Sequence, residues 1–227
     1  MRVLELAQGV AGPYAGKLLA DLGAKVIKVE PPSGDTTRTF GPFPNGIPHA
    51  ERSGLFVYLN SAKRGVVLDL TRDDDRDACL RLAASCDVVI ESFTPAERER
   101  LGLSAAAFQC ASPSVVVISV TPFGTTGPRA TWRGNDLIAF HSSGFAFGFP
   151  ALQVDHAALP PLNAPTYAAE LLSGQVTAAA AMHGLLAVQQ TSRGAHLDVS
   201  LQEAVASANN AQFNRVRPSS DGGARRV

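Results

Sequence analysis

The sequence predicts an α/β fold in which a mainly parallel, Rossmann-like sheet is covered by helices on both faces. Two observations lead to this prediction. Short apolar segments with strand character alternate with helical segments along the 227 residues, and a glycine-containing turn at residues 9–12 separates the first strand from the first helix. Strands that alternate with helices are joined by right-handed crossovers, which makes them parallel strands of one sheet.

The first βαβ unit follows this pattern closely. Residues 3–6 form a short, partly apolar strand, residues 14–22 have helical periodicity that ends at Gly23, and residues 25–30 alternate apolar with charged side chains. Pro13 is predicted at the first helical position, because a helix leaves the N–H of that position without a partner. Residues 31–54 are rich in Pro, Gly, Asp and Thr, which predicts a long surface loop.

The remaining elements continue the alternation. Further strands are predicted at 66–70, 87–91, 114–120 and 196–200, helices at 73–84, 132–148, 166–190 and 201–211, and a Pro-rich connection at 150–165. Gly174 lies inside a predicted helix, where another backbone can approach closely. We assign residues 1–212 to one large domain, and we expect the Ser-, Gly- and Arg-rich residues 213–227 to be a disordered tail or the start of an interrupted linker.

Composition excludes several classes of protein. The chain has 20 basic and 20 acidic residues, so it lacks the positive field that gathers nucleic acid. No apolar run looks long enough for a membrane span and the amino terminus has no signal-peptide profile, so we expect no membrane association and a cytoplasmic location. Cys79, Cys86 and Cys110 are odd in number and lack metal-ligand spacing. We interpret them as reduced structural thiols and expect no metal site.

The glycine turn is the first candidate binding site. Backbone N–H groups at the start of a helix can hold a phosphate. The alternative is that Gly12 only permits close packing of the helix on the sheet. Glu30 ends the second strand, as the ribose-binding acid of a dinucleotide site does, but no G-x-G-x-x-G spacing precedes it. A dinucleotide site is therefore disfavoured.

Basic residues at strand–helix junctions give a second signal, because open α/β sheets bind ligands there. These residues are Lys63, Arg64, Arg98 and Arg100. They predict contacts with phosphate groups. The alternative is that they are ordinary solvated cations of the surface.

Two carboxylates are candidates for catalysis. Asp136 lies at a predicted helix start, where an N-cap is the alternative role. Glu170 is a charge within an apolar segment, and an ionised carboxylate can attack a thioester if positioned donors receive the oxyanion. A plain surface glutamate is the alternative. His141 and His183 lie on apolar helical faces and are interpreted as core or surface residues, not as bases.

Separated motifs occur in one order along the chain, at residues 10–13, 20–31, 34–38, 59–64, 87–93, 100–102, 124–128 and 196–200. Together they resemble the family III (CaiB/BaiF-like) CoA-transferases, a group that includes formyl-CoA and carnitine CoA-transferases and the α-methylacyl-CoA racemases. The resemblance implies a Rossmann-like large domain, with this chain truncated before the smaller second domain of the family. It also implies an interlocked homodimer or a completing partner chain. The CoA thioester is then a substrate, and no prosthetic group is expected.

The resemblance also implies positions for the site. It places the CoA nucleotide and pantetheine near Val10, Ala11, Asn60, Lys63, Arg64, Ser92, Phe93, Arg100 and Arg133. In the family, an aspartate four residues before a glycine is the nucleophile. Here Glu170 and Gly174 have that spacing. Glu170 is therefore the candidate nucleophile, and Asp136 is a nearby polar or structural acid.

The leading hypothesis is CoA transfer between an acyl-CoA thioester and a free carboxylate, through an anhydride and a thioester on the enzyme carboxylate. One alternative is a non-catalytic or truncated CoA-binding or dimerisation module. The other is an α-methylacyl-CoA racemase. In the racemase branch a histidine precedes the position of Asp136, and here Asn135 occupies that place. Asparagine cannot exchange a proton with the α-carbon, which disfavours the racemase.

Overall fold

The predicted α/β architecture is confirmed. The computed structural model describes residues 1–148 and 164–208, with the backbone of residues 216–218 and 224–226. The strands are β1 Arg2–Glu5, β2 Lys25–Glu30, β3 Arg64–Val67, β4 Val88–Glu91, β5 Val116–Thr121, β6 His196–Ser200, β7 Val216–Pro218 and β8 Ala224–Arg226. The first six form one parallel sheet in the order β3-β2-β1-β4-β5-β6.

Helices cover both faces of this sheet. They are α1 Ala11–Asp21, α2 Gly54–Asn60, α3 Asp73–Ala84, α4 Pro95–Leu101, α5 Ala105–Ala111, α6 Asp136–Ser142, α7 Ala168–Thr191 and α8 Leu201–Ser207, with 3₁₀ helices at Thr36–Thr39, Pro44–Gly46 and Phe145–Gly148. Val88 and Ile90 of β4 pack in a core with α1 and α7, while Val89 packs in a second core with α3 and α5. A strand buried on both faces is apolar at successive positions, which explains the continuous run in β4.

Helix ends follow the polar residues of the sequence. At the start of α4, Thr94 and Glu97 form a capping box around Pro95, and the helix ends at Gly102 with a φ of 64°. The predicted bounds of α3 are confirmed. The prediction for Pro13 is wrong, because α1 begins at Ala11 and makes proline its third residue. Proline is tolerated there because the whole first turn lacks intrahelical acceptors for its N–H groups.

Several other elements differ from the sequence predictions, and helices α4 and α5 were not predicted at all. β3 is shifted towards the amino terminus, because its register with β2 runs from Ile27↔Arg64 to Glu30↔Val67 and both strands end together. The helical region predicted at 132–148 is broken at Gly144, which has a φ of 77°. Helix α2 was not predicted within or after the surface loop, and Ser53 caps it by accepting the Phe56 N–H at 3.1 Å.

Helix α7 contradicts the expectation that no segment has the length of a membrane span. It is a 24-residue helix that is apolar and long enough to cross a membrane. In this fold it packs against α1, α6, α8 and β5. Length and composition of this kind also occur in core helices of globular proteins. These contacts bury a face of small residues, such as Ala169, Gly174 and Ala181, whereas Met182 and Leu186 of the same helix are exposed.

Two predicted segments lie partly or wholly outside the described residues. The Pro-rich connection falls mostly within residues 149–163, and the last part of the helix predicted at 201–211 falls within 209–215. In the predicted tail, β7 and β8 pair antiparallel from Val216↔Arg226 to Pro218↔Ala224. The assignment of residues 213–227 to a disordered tail or the start of an interrupted linker stays a prediction.

Candidate functional site

The candidate site lies where the order of the strands in the sheet reverses. The strand order runs outward from β1 and β4, which are neighbours, so the turns that follow them meet at the carboxyl edge of the sheet. Open α/β sheets bind ligands at such a switch point. The Gln8 N–H donates to Ser92 Oγ at 3.1 Å and joins the two turns.

A cleft of about 360 Å³ opens on the side of this edge that carries α4. Ser92, Phe93 and Arg100 line it, together with apolar residues such as Leu6 and Leu68. These are three of the residues predicted to contact CoA, and the structure brings them together. The cleft has an apolar floor and an exposed cation at its rim.

Buried polar groups hold the turn after β4 in place. The Glu91 carboxylate accepts the Phe93 N–H at 2.6 Å and an Arg98 N–H at 2.6 Å. Ser119 Oγ donates to the same carboxylate and lies 2.8 Å from His196 Nε2. Arg98, a predicted phosphate contact, is thus used inside the protein. This is a correction, and its cause is the buried Glu91 charge that needs a partner.

A second, smaller cavity of about 140 Å³ lies on the opposite side of the edge. Its lining comprises the turn after β1 together with residues of four later segments: Gln8, Gly9, Val10, Ala11, Gly12, Ser92, Val120, Pro122, Gly134, Glu170 and Leu201. Val10 and Ala11 were predicted to contact CoA, and the structure places both beside Glu170. Gln8 and Ser92 line both cavities, so the two are adjacent along one path.

Glu170 is brought to this cavity by close packing of α7 on α1. A Cβ at Gly174 would lie 2.7 Å from the carbonyl oxygen of Ala11, so only glycine allows the approach that was predicted there. Glu170 lies one turn earlier on α7 and is largely buried. Burial first, and then the nearby Asp136, raise the pKa of Glu170 from 4.5 to about 7. The surface-glutamate alternative is therefore wrong.

Asp136 lies next to Glu170 and links α6 to α7. It is buried, and its Oδ1 accepts the backbone N–H of Glu170 at 3.0 Å. Its Oδ2 has no hydrogen-bond partner within the described part of the chain. The N-cap alternative for Asp136 is wrong, because Asn135 caps α6 by accepting the Ile138 N–H at 3.0 Å. A buried carboxylate oxygen without a partner beside a second carboxyl group is unfavourable unless one of the two holds a proton.

The Lys63 ammonium does not face solvent, which corrects the expectation of a phosphate contact; Asn60, which is half-buried, is one of its partners. The Lys63 side chain is 2% exposed, and its ammonium donates to Glu5 Oε2 at 2.7 Å, Pro13 O at 2.7 Å and Asn60 Oδ1 at 2.9 Å. An ammonium has three donors, so none is left for a ligand. Burial lowers the pKa of Lys63 to about 8, against the attraction of Glu5.

Arg64, the first residue of β3, is exposed and lies away from the two cavities of the site. It lines a separate hollow with Arg2 and Lys25, near the amino ends of the strands. Its assignment to the same site as Arg100 is therefore wrong. Arg133 is exposed and directly precedes Gly134 of the small cavity.

Several residues of the site were missed from the sequence. Gly134 belongs to it, and a Cβ there would lie 2.5 Å from Pro122 Cβ. The loop that carries Pro122 is held by Asp198, whose Oδ2 accepts the Thr125 N–H at 2.8 Å and its hydroxyl at 2.7 Å. From the sequence alone, the motifs at 124–128 and 196–200 have no assigned role. The Thr125–Asp198 contact gives both of them a structural one.

The remaining sequence candidates are structural. Glu30 accepts two hydrogen bonds from Arg38, at 2.6 and 2.9 Å, so its carboxylate is occupied. Cys79 and Cys86 are buried free thiols and Cys110 is an exposed one. Burial raises the pKa of Cys79 to about 12. Among the described residues, no group of His, Cys, Asp and Glu could hold a metal ion.

Comparison with known proteins identifies the family of the chain. A sequence model described as CoA-transferase family III matches residues 1–226. The chain belongs to CoA-transferase family III. The family resemblance predicted from the separated motifs is thereby confirmed across nearly all of the chain.

Individual relatives are moderately similar. The succinyl-CoA:(R)-benzylsuccinate CoA-transferase subunit BbsE of Thauera aromatica is 36% identical over 214 residues, which are 93% of this chain and 51% of that protein. The succinate–glutarate CoA-transferase of Agrobacterium fabrum is 35% identical over 206 residues, 88% of this chain and 50% of that protein. The chain thus spans about half the length of these curated relatives.

A solved structure gives the same result for the fold. The crystal structure of a CAIB/BAIF family protein from Brucella suis superposes with a TM-score of 0.83 at 31% identity, covering 94% of this chain and 56% of that one. The parallel sheet and flanking helices described above are therefore those of other family III proteins.

Proposed function

We propose that this chain carries the CoA-binding cleft and the nucleophile of an enzyme that transfers CoA from an acyl-CoA thioester to a free carboxylate. One observation carries the proposal. Glu170, a largely buried carboxyl group with a raised pKa, lines a cavity next to the glycine turn of a family III CoA-transferase fold. A desolvated carboxylate beside the first backbone amides of a helix has what nucleophilic attack on a thioester requires.

The two cavities suggest how CoA is bound. Its nucleotide occupies the larger cleft, with Arg100 near a phosphate and the apolar floor beneath the adenine. The pantetheine chain then crosses Gln8 and Ser92, which line both cavities, and delivers the thioester to Glu170. Arg133 is proposed to contact CoA from the loop that precedes Gly134.

The reaction proceeds by four acyl transfers at one side chain. The Glu170 carboxylate attacks the thioester carbonyl and expels the CoA thiolate, which leaves a mixed anhydride. The thiolate attacks the Glu170 carbonyl of this anhydride, releases the donor acid and leaves a glutamyl-CoA thioester. The acceptor carboxylate attacks the Glu170 carbonyl of that thioester, expels the CoA thiolate and forms a new anhydride. The thiolate then attacks the acceptor carbonyl of this anhydride, forms the product acyl-CoA and releases the Glu170 carboxylate.

The amides at the start of α1 are the proposed acceptors for the negative charge of each tetrahedral intermediate. Ala11 and Gly12 line the cavity as the first residues of that helix, where the N–H groups have no intrahelical acceptor. Asp136 is proposed to position Glu170 through its backbone N–H. Because only the ionised form of Glu170 attacks, activity should rise as pH approaches the pKa near 7.

The glutamate distinguishes this chain from the aspartate that the family resemblance implies. The extra methylene moves the carboxylate by about 1 Å or more, and a misplacement of that size costs on the order of a hundredfold in rate. We propose that the cavity here is adapted to the longer side chain. The competing possibility is a CoA-binding module without activity.

Exchange of labelled CoA into an acyl-CoA pool separates these possibilities. Glu170→Gln should abolish exchange without weakening CoA binding, because an amide cannot form the anhydride. Glu170→Asp should reduce exchange if the cavity fits glutamate, and should raise it if the glutamate is misplaced. Persistent exchange in the Gln variant would remove Glu170 as nucleophile. Binding of CoA with no exchange in any variant would favour the module.

Two exposed arginines provide a matched test of the binding path. Arg100→Ala should weaken CoA binding by roughly tenfold, because one charged contact to phosphate is lost. Arg64→Ala removes the same charge from the separate hollow and should leave the affinity unchanged. Calorimetric titration measures both. Equal effects of the two substitutions would contradict the proposed path.

We also propose that a second chain completes the enzyme, either an interlocked copy or a different subunit, and that the enzyme is cytoplasmic. Relatives named as subunits, such as BbsE and the succinyl-CoA–L-malate CoA-transferase alpha subunit of Chloroflexus aurantiacus, support a partner chain. Light scattering of the purified protein should give a mass of at least two chains. A monomeric mass at micromolar concentration would contradict this, and cell fractionation tests the location.

A further inference from the structure

The glycine turn that lines the small cavity is held at both of its ends by buried lysines. Lys28 donates to the carbonyl oxygen of Ala7, just before the turn, at 3.1 Å. Lys63 donates to the carbonyl oxygen of Pro13, just after the turn, at 2.7 Å. The two ammonium groups therefore bracket the residues of the turn that line the cavity.

One carboxylate joins these two lysines. Glu5, the last residue of β1, accepts from Lys28 through Oε1 at 3.0 Å and from Lys63 through Oε2 at 2.7 Å. Asp35, from the loop after β2, lies 2.8 Å from Lys28 and is the second counter-charge. The cluster comprises Glu5, Lys28, Asp35 and Lys63, which carry two negative and two positive charges.

The cluster is buried, and helix α1 has a glycine where it passes over the cluster. The four side chains are each at most 2% exposed. A Cβ at Gly16 of α1 would lie 1.9 Å from Glu5 Oε2 and 3.2 Å from Lys63 Nζ, so the helix needs glycine where it passes over the cluster. Buried charges are costly, and well-packed apolar residues would stabilise a core at least as well. Stability alone is thus a weak explanation for four charges beneath one turn.

We infer that Lys63 is a positioning residue, which fixes the carboxyl end of the glycine turn so that its amides and Glu170 face the same cavity. It acts through Pro13 O, and Glu5 and Lys28 fix the other end in the same way. The inference rests on the role proposed above for the turn. It also reassigns Lys63, because a lysine whose three donors are used internally has no contact to offer to CoA itself.

The competing explanation is that Lys63 only neutralises Glu5. Lys63→Met would then act by leaving the buried cluster with one negative charge in excess, which is destabilising by itself. The double variant Glu5→Gln/Lys63→Met removes one charge of each sign and leaves Lys28 with Asp35. It should recover most of the stability lost in the single variant. In the double variant, however, Pro13 O still lacks its donor, so the positioning role predicts that the glycine turn stays loosened.

The experiment compares wild type, Lys63→Met, the double variant and Lys25→Met, an exposed-lysine control. Amide hydrogen exchange of residues 8–14, followed by mass spectrometry, reports on the turn without any ligand. Calorimetric titration with CoA reports on the site. We expect the double variant to unfold at nearly the wild-type urea concentration, yet to exchange these amides at least tenfold faster and to bind CoA at least tenfold more weakly.

The positioning role would be overturned if the double variant recovered amide protection and CoA affinity as well as stability. It would also be overturned if amide protection of residues 8–14 were unchanged in either Lys63 variant. If wild type does not bind CoA, the proposed function fails while the exchange data still decide the role of Lys63. The control Lys25→Met should match wild type in all three measurements.

Discussion

The raised pKa of Glu170 makes a prediction about stability that needs no substrate. Burial and the nearby Asp136 raise this pKa from 4.5 to about 7. Between these two pH values the folded protein keeps a proton on Glu170 that the unfolded chain has released. Stability from this group is therefore fully present below pH 4.5 and is lost as the pH rises to about 7.

The size of this loss follows from the shift. Each pKa unit corresponds to about 1.4 kcal/mol, so the full shift is worth at most roughly 3 kcal/mol, and partial exposure of the side chain reduces it to about 2 kcal/mol. Glu170→Gln removes the titration and keeps the shape. The free energy of unfolding of wild type should therefore fall by about 2 kcal/mol relative to the Gln variant between about pH 5 and about pH 8.

Urea denaturation at a series of pH values measures this difference. Glu30→Gln is the control, because the bonds from Arg38 and from the Asp35 N–H outweigh burial and lower the pKa of Glu30. Its contribution is present above its unfolded pKa and is lost only under more acidic conditions, so its difference from wild type should stay constant across the same window. Parallel curves for wild type and Glu170→Gln would refute the burial argument.

Three further predictions concern neighbouring features. Asp136→Asn should lower the pKa of Glu170 and shift the acidic limb of the CoA-exchange profile to lower pH; an unmoved limb would show that the two carboxyl groups are not coupled. Gly174→Ala should destabilise the fold by about 1–3 kcal/mol, because its Cβ would overlap the backbone of α1, and an unchanged urea midpoint would contradict the close approach. Iodoacetamide should alkylate exposed Cys110 in the native protein before Cys79, whose burial raises its pKa to about 12; equal labelling would contradict that burial.

Local patterns in the sequence were sufficient to predict the sheet and most helices. Successive apolar residues in β4 and the acidic first turn of α3 have simple physical causes, burial on two faces and the helix dipole. The pattern of β2 was misleading in one respect. It alternates apolar with charged residues, yet the charged Lys28 is fully buried because Glu5 of the neighbouring strand supplies its counter-charge.

The site was harder to predict because it depends on contacts between distant segments. Asp136 and Glu170 are 34 residues apart and meet only when α6 and α7 pack together. Lys63 and Arg64 are adjacent in sequence, and only the structure shows that the Lys63 ammonium is used inside the protein while Arg64 lines a separate hollow. The family resemblance pointed to segments that line the two cavities. The structure shows which side chains in those segments are used inside the protein and which can contact a ligand.

The covalent role of Glu170 is tested most directly by trapping its glutamyl-CoA thioester. The protein is incubated with an acyl-CoA and then with hydroxylamine, which attacks the thioester carbonyl, releases CoA and leaves a hydroxamate that peptide mass spectrometry can locate. We predict a hydroxamate at Glu170, formed only when acyl-CoA is present and absent in Glu170→Gln. A hydroxamate at Asp136, or none at any residue of a protein that binds CoA, would contradict the proposed mechanism.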